Sequence, residues 1–279
     1  MAQGYDSDQP AIKASRRAPA SSARHVRRRG LRRAVVPAAT VAGLLALWQL
    51  AVVAGLIPNF LLPSPAQVVS ALVADAPLLT SHAATTLAEA ALGLLIGCAV
   101  GFAFAVLMDR FEMLYLAFSP LITVSQTIPT VAVAPLLVLW FGYGLMPKVV
   151  LIVITTFFPV TVSLVAGFRS VDPDMVDLMR TMNATSAQVF WQVKIPAAAE
   201  QFFSGLRISA TYAIVGAVIA EWLGGFSGLG VYMTRVRKSF SYDKMFAVIM
   251  LISALSLALM GVVGVLQRIC MPWKRAERN

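Results

Sequence analysis

Charged residues are scarce in this chain of 279 residues. They make up 13% of the sequence, whereas 58% of the residues are hydrophobic and the mean hydropathy is +0.77. An average soluble protein has roughly 25% charged residues, because its surface has to be polar. The shortage therefore argues against a soluble protein and predicts an outer face in contact with lipid.

Cysteine and histidine are also rare, with two of each. Cys98 and Cys270 lie in different apolar segments, and their spacing predicts neither a disulfide framework nor a metal site. His25 and His82 have no neighbours in the sequence that suggest catalysis. The nucleophile–base or metal-ligand sets that a membrane enzyme would need are missing, so we do not expect an enzyme.

The chain has a formal net charge of +10, but the distribution of this charge argues against nucleic-acid binding. Nine of the 23 lysines and arginines lie within residues 1–33, in a stretch rich in Ser, Ala, Pro and Gln. This composition predicts a disordered, cytoplasmic basic tail rather than a basic folded surface. The aromatic and basic alternation that is typical of single-strand binding is also absent.

Long apolar runs follow the tail. A membrane-crossing helix needs about 20 apolar residues, and six segments meet this requirement. The predicted spans cover residues 34–57, 83–108, 113–141, 148–168, 206–223 and 245–269. The third is the least regular, because Pro129 and Pro135 each remove a backbone donor. The predicted fold is all-α, a polytopic membrane helical bundle with six transmembrane helices.

The positions of Lys and Arg predict how the spans are oriented. With the N-terminus in the cytoplasm, 18 of the 23 basic residues fall on the cytoplasmic side. The five on the outer side are Lys148, Arg235, Arg237, Lys238 and Lys244. Six spans then place both termini in the cytoplasm, and we expect a multi-pass protein of the cell (plasma or inner) membrane.

Two short patterns predict local structure in and between the first two spans. Ser64 and Pro65 are a typical N-cap and first helical residue, and the apolar residues after them recur at helical spacing. A short amphipathic helix is therefore expected before the second span. Gly93, Gly97 and Gly101 lie on one face of the second span, which favours close packing against another helix.

The longest polar interval between spans, residues 171–205, is predicted to lie in the cytoplasm. Asp172 and Pro173 are suited to the N-cap and first position of a short helix. Asn183 is a suitable left-handed C-cap for that helix. Its apolar stripe recurs at helical spacing and consists of Met175, Leu178, Met179 and Met182.

A second short helix is predicted directly after the first. Thr185 or Ser186 begins it, and Pro196 is expected to end it. Its apolar residues are Val189, Phe190 and Val193. The pattern by itself leaves two interpretations open, namely an amphipathic loop that rests on the bilayer and a docking element for a soluble partner.

Residues 177–196 resemble the cytoplasmic loop of the binding-protein-dependent permeases of ABC importers. That signature reads Glu-Ala-Ala, three residues, Gly, nine residues, Ile, one residue and Leu-Pro. In this chain the corresponding residues are Asp177-Leu178-Met179, Asn183, Val193 and Ile195-Pro196. Every spacing agrees and Pro196 is identical, whereas Leu178 and Met179 are larger than the two alanines.

Five further motifs resemble one branch of this family, which includes permeases for nitrate, taurine, alkanesulfonates and thiamine-related pyrimidines. The motifs are Leu62-Pro63-Ser64-Pro65, Gln126-Thr127-Ile128-Pro129, Ala134-Pro135-Leu136, Trp140-Phe141-Gly142-Tyr143-Gly144 and Glu221-Trp222-Leu223-Gly224. The similarity extends over residues 40–275. Residues 126–144 are more similar to the thiamine-precursor pyrimidine permeases than to those for nitrate or sulfonates.

The resemblance implies the type I ABC importer permease fold and several partners. Two permease copies, expected to be identical, would enclose a path for a small solute that an extracytoplasmic binding protein delivers. ATP and Mg would be bound by two ATPase subunits, since this chain has no Gly-x4-Gly-Lys-Ser/Thr phosphate loop, and no cofactor of its own is expected. The implied ATPase-coupling residues are Asp174, Met175, Asp177, Leu178, Met179, Met182, Asn183, Gln188, Val189, Phe190 and Pro196.

Polar residues within the spans are candidates for the substrate path, since a charge inside the bilayer costs about 2.5–3.5 kcal/mol on insertion scales. Glu89 either lines the path or pairs with a neighbouring helix. Glu221 is either a gate residue or an interfacial anchor. Gln126 and Thr130 flank Pro129, where a broken helix would expose polar groups to a cavity. These four residues are the predicted path residues.

An ATPase-independent secondary transporter is the alternative class of function. It would require inverted repeats and an ion relay within the spans, but no clear repeat is present and intramembrane carboxylates are few. Among importers, a permease for sulfonates, taurine or nitrate is the alternative to one for a thiamine-precursor pyrimidine.

Overall fold

The computed structural model describes residues 21–272, with side chains from residue 35 onward. This part of the chain is helical, with no strand in it, and it divides into two compact units at residues 56 and 57. The first unit contains α1 (Ser21–Val53). The second contains α2 (Pro65–Ala74), α3 (Ala76–Arg110), α4 (Glu112–Ser125), α5 (Thr130–Phe141), α6 (Leu145–Arg169), α7 (Pro173–Thr181), α8 (Ser186–Val189), a π-helical turn (Phe190–Lys194), α9 (Ile195–Gly224), α10 (Leu229–Lys238) and α11 (Tyr242–Cys270).

Helix α1 begins at Ser21, inside the segment that was predicted to be a disordered tail. Arg and Ala are good helix formers, so the helix of the apolar run continues into the basic residues before it. The apolar part, Val35–Val53, is long enough to cross a membrane. The predicted disorder of residues 1–20 lies outside the described residues.

The helices of the second unit extend beyond their predicted apolar cores. α3 begins at Ala76 instead of residue 83, and α11 begins at Tyr242 instead of residue 245. Hydropathy detects only the apolar part of a helix, whereas the hydrogen-bonded structure continues into its polar ends. The amphipathic helix predicted before the second span is α2, in which Ser64 and Gln67 form a capping box.

The predicted third span consists of two helices. α4 and α5 together are apolar enough to cross a membrane, but their axes are bent by 100° at residues 126–129. Pro129 immediately precedes α5, where its missing N–H costs no helical hydrogen bond. Pro135, which was also expected to interrupt this span, lies inside α5.

The direction of α3 and α6 shows how this bent pair runs through the bundle. The two helices are parallel, because their contacts are Gly93 with Ile152, Gly97 with Thr156 and Gly101 with Val160. Both helices therefore end on one side of the bundle, where Arg169 lies 3.3 Å from Glu112. We call this side the Arg169 end and the opposite side the Lys148 end. The α4–α5 pair has to return from the Arg169 end to the Lys148 end, so it is a broken span.

α8, the π-helical turn and α9 form one continuous helical rod, which we call the Ser186–Gly224 rod. Pro196 was predicted to end the second loop helix, but it lies in the first turn of α9. The N–H of Ile195 donates to the carbonyl of Phe190, five residues earlier. This wider turn gives Pro196 the space that a regular α-helix would lack.

The rod is antiparallel to α6 and packs closely against it. Gly205 lies against the backbone of Pro159 and the side chain of Ser163. Ser209 donates to the carbonyl of Thr156 at 2.9 Å. Five helices in the described residues are long and apolar enough to cross a membrane, and the broken pair makes six. The predicted all-α membrane bundle is confirmed.

Candidate functional site

The polar interval at the Arg169 end forms the two short helices that the sequence predicted. Asp172 Oδ1 accepts a hydrogen bond from the backbone N–H of Asp174 at 3.0 Å and so caps α7. Asn183 has φ of 60°, which is the left-handed conformation expected at its C-terminal end. Thr185 and Gln188 form a capping box at the start of α8. These local interactions define the shape of the loop without requiring contact with other helices.

The apolar stripe of α7 faces away from the bundle. The exposed fractions of Met175, Leu178 and Met182 are 51%, 57% and 71%. Met179 is half-buried. The other predicted coupling residues that are exposed are Asp174, Asp177, Asn183, Gln188 and Pro196. An exposed apolar stripe with a polar rim is typical of a surface that contacts a partner.

The second half of the loop is attached to the bundle instead. Val189 is buried, and the ring of Phe190 lies 5.6 Å from the ring of Phe168 in α6. Lys194 Nζ lies 2.8 Å and 2.9 Å from the two carboxylate oxygens of Asp109 in α3. The side chains of Val189 and Phe190 therefore pack against this chain, and their predicted contact with an ATPase stays a prediction.

The break between α4 and α5 opens a cavity of about 540 Å³, which α6 and α9 close on the other side. Gln126 and Thr130 both line it, as the sequence suggested for polar groups beside Pro129. Thr155 and Tyr212 add hydroxyl groups, and Phe158 adds an aromatic ring. No Asp, Glu, Lys or Arg is among the described residues that line this cavity.

The other two predicted path residues lie elsewhere in the bundle. Glu89 Oε1 in α3 pairs with Lys148 Nζ in α6 at 2.6 Å, and only 6% of each side chain is exposed. Lys148, the first residue of the predicted fourth span, lies in the first turn of α6. Neither residue lines the 540 Å³ cavity. The geometry agrees with the alternative in which Glu89 pairs with a neighbouring helix.

Glu221 is 1% exposed and holds the start of α10. One carboxylate oxygen accepts from Thr86 Oγ1 at 2.7 Å, and the other accepts from the N–H of Gly230 at 2.6 Å. The N–H of Gly228 donates to His82 Nδ1 at 2.9 Å. Gly228 has φ of 120°, and a Cβ there would collide with the Glu221 carboxylate. Glu221 thus satisfies a helix N-terminus inside the protein and also lies outside the 540 Å³ cavity.

Asp75 connects α10 and α11 to the junction of α2 and α3 at the Lys148 end. Its carboxylate accepts from Lys244 Nζ at 2.8 Å and from the hydroxyl of Tyr232 at 2.5 Å. The hydrogen bonds from Lys244 and then from Tyr232 lower the pKa of Asp75 below its ordinary value of 3.8. Burial, together with the Asp75 carboxylate, raises the pKa of Tyr232.

Sequence reasoning missed several residues that the structure brings together. Asp109 directly follows a predicted span and Lys194 lies within the polar interval, and nothing in the sequence shows that they pair across 85 residues. The same is true of Thr86 and Glu221, which are 135 residues apart. The charges of Asp109, Lys194 and Glu221 were the only available signal, and a charge does not identify its partner.

The bundle, the exposed loop at one end and the uncharged cavity beside a broken span define a multi-pass membrane protein with the features of a transporter. Residues 93–269 match the family described as "binding-protein-dependent transport system inner membrane component". The chain belongs to this family.

Two curated relatives and one solved structure show the extent of the similarity. A "probable ABC transporter permease protein" of Haemophilus influenzae is 38% identical, over 81% of this chain and 93% of the relative. The "formylaminopyrimidine transport permease protein ThiX" of Halalkalibacterium halodurans is 36% identical, over 78% of this chain and 88% of the relative. A crystal structure of an amino acid ABC transporter has a chain with a TM-score of 0.58 and 22% identity, over 71% of this chain and 96% of that chain, which supports the fold.

Proposed function

We propose that, in this ABC importer permease, α7 and its flanking turns contact a separate ATPase. The observation that carries the proposal is the exposed stripe of Met175, Leu178 and Met182, presented by a loop with a left-handed residue at the family's glycine position. A stripe of this kind is unfavourable in water unless a partner covers it. The competing explanation for the exposed stripe is that the loop rests on the bilayer, an interpretation that the sequence left open.

The proposed assembly contains two copies of this chain and two ATPase subunits that bind ATP and Mg. An extracytoplasmic binding protein delivers the solute at the Lys148 end. The Arg169 end, together with both termini, then faces the cytoplasm. This orientation is supported by the excess of Lys and Arg that the sequence places on that side.

The proposed path includes the cavity at the α4–α5 break, with Gln126 and Thr130 in contact with the solute. A cavity of about 540 Å³ lies within the range of typical small-molecule pockets. The broken span supplies polar groups at a depth where an unbroken helix would present none. Glu89 and Glu221 have buried partners within the chain, which favours a structural role for both carboxylates over contact with the solute.

The proposed solute is a thiamine-precursor pyrimidine or a related uncharged small molecule. The described lining combines hydroxyl groups, the Gln126 amide and aromatic rings, which suit a planar ring with hydrogen-bonding substituents. A sulfonate or nitrate carries a full negative charge, and burying such a charge without a cation or a set of N–H donors is costly. The cavity therefore favours the pyrimidine over sulfonate, taurine or nitrate.

Reconstitution of the permease in liposomes with its ATPase and binding protein tests both the dependence on the ATPase and the proposed solute. We expect ATP-dependent uptake of a labelled formylaminopyrimidine and little uptake of labelled taurine. Preferential uptake of taurine would contradict the substrate proposal. Uptake by the permease without the ATPase would instead establish the secondary transporter.

A double substitution in the loop tests the ATPase contact. Asp177→Lys with Met179→Lys reverses a charge and places another charge on the apolar face of α7, so the ATPase should dissociate or hydrolyse ATP without uptake. Glu112→Gln is the matched control, since Glu112 is exposed at the same end but outside the loop. Unchanged uptake and unchanged ATPase co-purification in the double variant would show that α7 is not the contact.

A further inference from the structure

The Ser186–Gly224 rod is connected to α3 near both of its ends by side-chain contacts. At the Arg169 end, Lys194 of the rod pairs with Asp109 of α3. At the Lys148 end, Glu221 of the rod accepts a hydrogen bond from Thr86 of α3. The two helices are thus joined at two points that are far apart along the bundle. A displacement of the rod near the loop would therefore be passed to α3 through a side-chain contact.

We propose that the Lys194–Asp109 ion pair is a positioning contact that transmits movement of the ATPase-binding loop to α3. The proposal rests on the proposed function, because it assumes that the loop contacts an ATPase. Lys194 and Asp109 do not touch the ATPase or the solute in this assignment. They hold the rod and α3 in register, so that both helices move together.

The geometry of this pair differs from that of the other ion pairs at the same end. Lys194 Nζ contacts both oxygens of Asp109, and the exposed fractions of the two side chains are 24% and 12%. Among the described residues at this end, the other pairs are Arg169 with Glu112, at 47% and 62% exposure, and Arg180 with Asp177, at 70% each. Exposed pairs contribute little, whereas a shielded pair leaves an uncompensated charge when one partner is removed.

The backbone around Lys194 supports the same assignment. Lys194 is the last residue of the π-helical turn, and such turns often occur at functional positions in helices. Phe190, the first residue of the turn, packs against Phe168 of α6. The turn is therefore fastened to α6 at its start and to α3 at its end. The exposed α7 stripe ends at Met182, and a short turn and α8 lie between it and this segment.

The connection continues to the other side of the bundle. Glu221 of the rod accepts from the N–H of Gly230, and Thr86 of α3 accepts from the N–H of Leu229, so the start of α10 is held by both the rod and α3. If α3 and the rod move together, α10 moves with them and the hydrogen bonds at its start are preserved. Movement of the rod alone would strain the contact between Thr86 and Glu221. A firm Lys194–Asp109 contact is therefore required for coordinated movement.

The test uses the full complex of permease, ATPase and binding protein in liposomes and measures solute transported per ATP hydrolysed. The variants are Lys194→Met, Asp109→Asn and the charge exchange Asp109→Lys with Lys194→Asp. We expect each single variant to lower the ratio about tenfold, within the usual range of coupling between sites, while the ATPase still co-purifies. The charge exchange should recover most of the ratio.

Two further variants separate coupling from folding. Lys194→Arg preserves the charge and should keep the ratio near that of the unmodified protein. Glu112→Gln removes an exposed partner at the same end and should leave the ratio unchanged. An unchanged ratio in both single variants would overturn the proposal.

Loss of the ATPase from the single variants would also overturn the proposal, because the pair would then shape the docking surface instead. Failure of the unmodified permease to bind an ATPase is a different result. It would contradict the proposed function itself.

Discussion

Two buried carboxylates of this bundle have side-chain partners on other helices. Glu89 contacts Lys148, and Glu221 contacts Thr86, each across two different helices. In a bundle surrounded by lipid, a polar group has no water to replace a missing partner, so each lost contact is expensive. The pairs therefore specify which helix faces meet.

Removal of one partner of the Glu89–Lys148 pair should destabilise the bundle strongly. Glu89→Leu leaves the buried Lys148 charge without compensation, and we expect a loss of about 3–5 kcal/mol in the free energy of unfolding. Glu89→Leu combined with Lys148→Met removes both charges and should be much less harmful. Denaturant unfolding in detergent measures both variants.

The exposed pair of Arg169 and Glu112 provides the control for this measurement. Its disruption by Glu112→Gln should change the free energy of unfolding by less than about 1 kcal/mol. Equal effects of Glu89→Leu and Glu112→Gln would contradict the idea that burial gives the first pair its importance.

At the scale of elements, the loop is built from local signals and the rod is not. Asp172 and Thr185 cap their helices as the sequence predicted, because capping depends only on residues two or three positions away. The π-helical turn and the helical continuation through Pro196 were not predicted. They depend on packing of Phe190 and Lys194 against other helices.

The left-handed conformation of Asn183 leads to a prediction about the loop. Asn183→Gly should be neutral or slightly stabilising, since glycine adopts a φ of 60° without steric cost. Asn183→Val should cost about 1–2 kcal/mol locally, because a β-branched residue is strained there. Hydrogen exchange of the α7 and α8 amides would report the change. Equal protection in the two variants would show that this turn does not constrain the loop.

At the scale of the whole molecule, the second unit is organised around the parallel pair α3 and α6 with the rod antiparallel to them. The parallel pair requires the intervening α4–α5 segment to traverse the bundle. The cavity with Gln126 and Thr130 is a consequence of the bend in that segment. A straight third span would have left no cavity at this position.

The proposed orientation predicts which residues are accessible from outside the cell. In a background with Cys98→Ser and Cys270→Ser, Ser239→Cys after α10 should react with a membrane-impermeant maleimide in intact cells. Asp174→Cys in α7 should react only after the membrane is permeabilised. The opposite pattern would show that the Arg169 end faces outward.

Composition and short-range spacing were enough to predict one set of features of this protein. The membrane location, the helical class, the caps of α7 and α8 and the break at Pro129 all follow from neighbouring residues. The partners of Glu89, Glu221 and Lys194 could be identified only from the packed bundle. The same holds for the cavity that Gln126 and Thr130 share with α6 and α9. The physical reason is that these contacts join residues far apart in the chain, where the direction and depth of each helix decide which side chains meet.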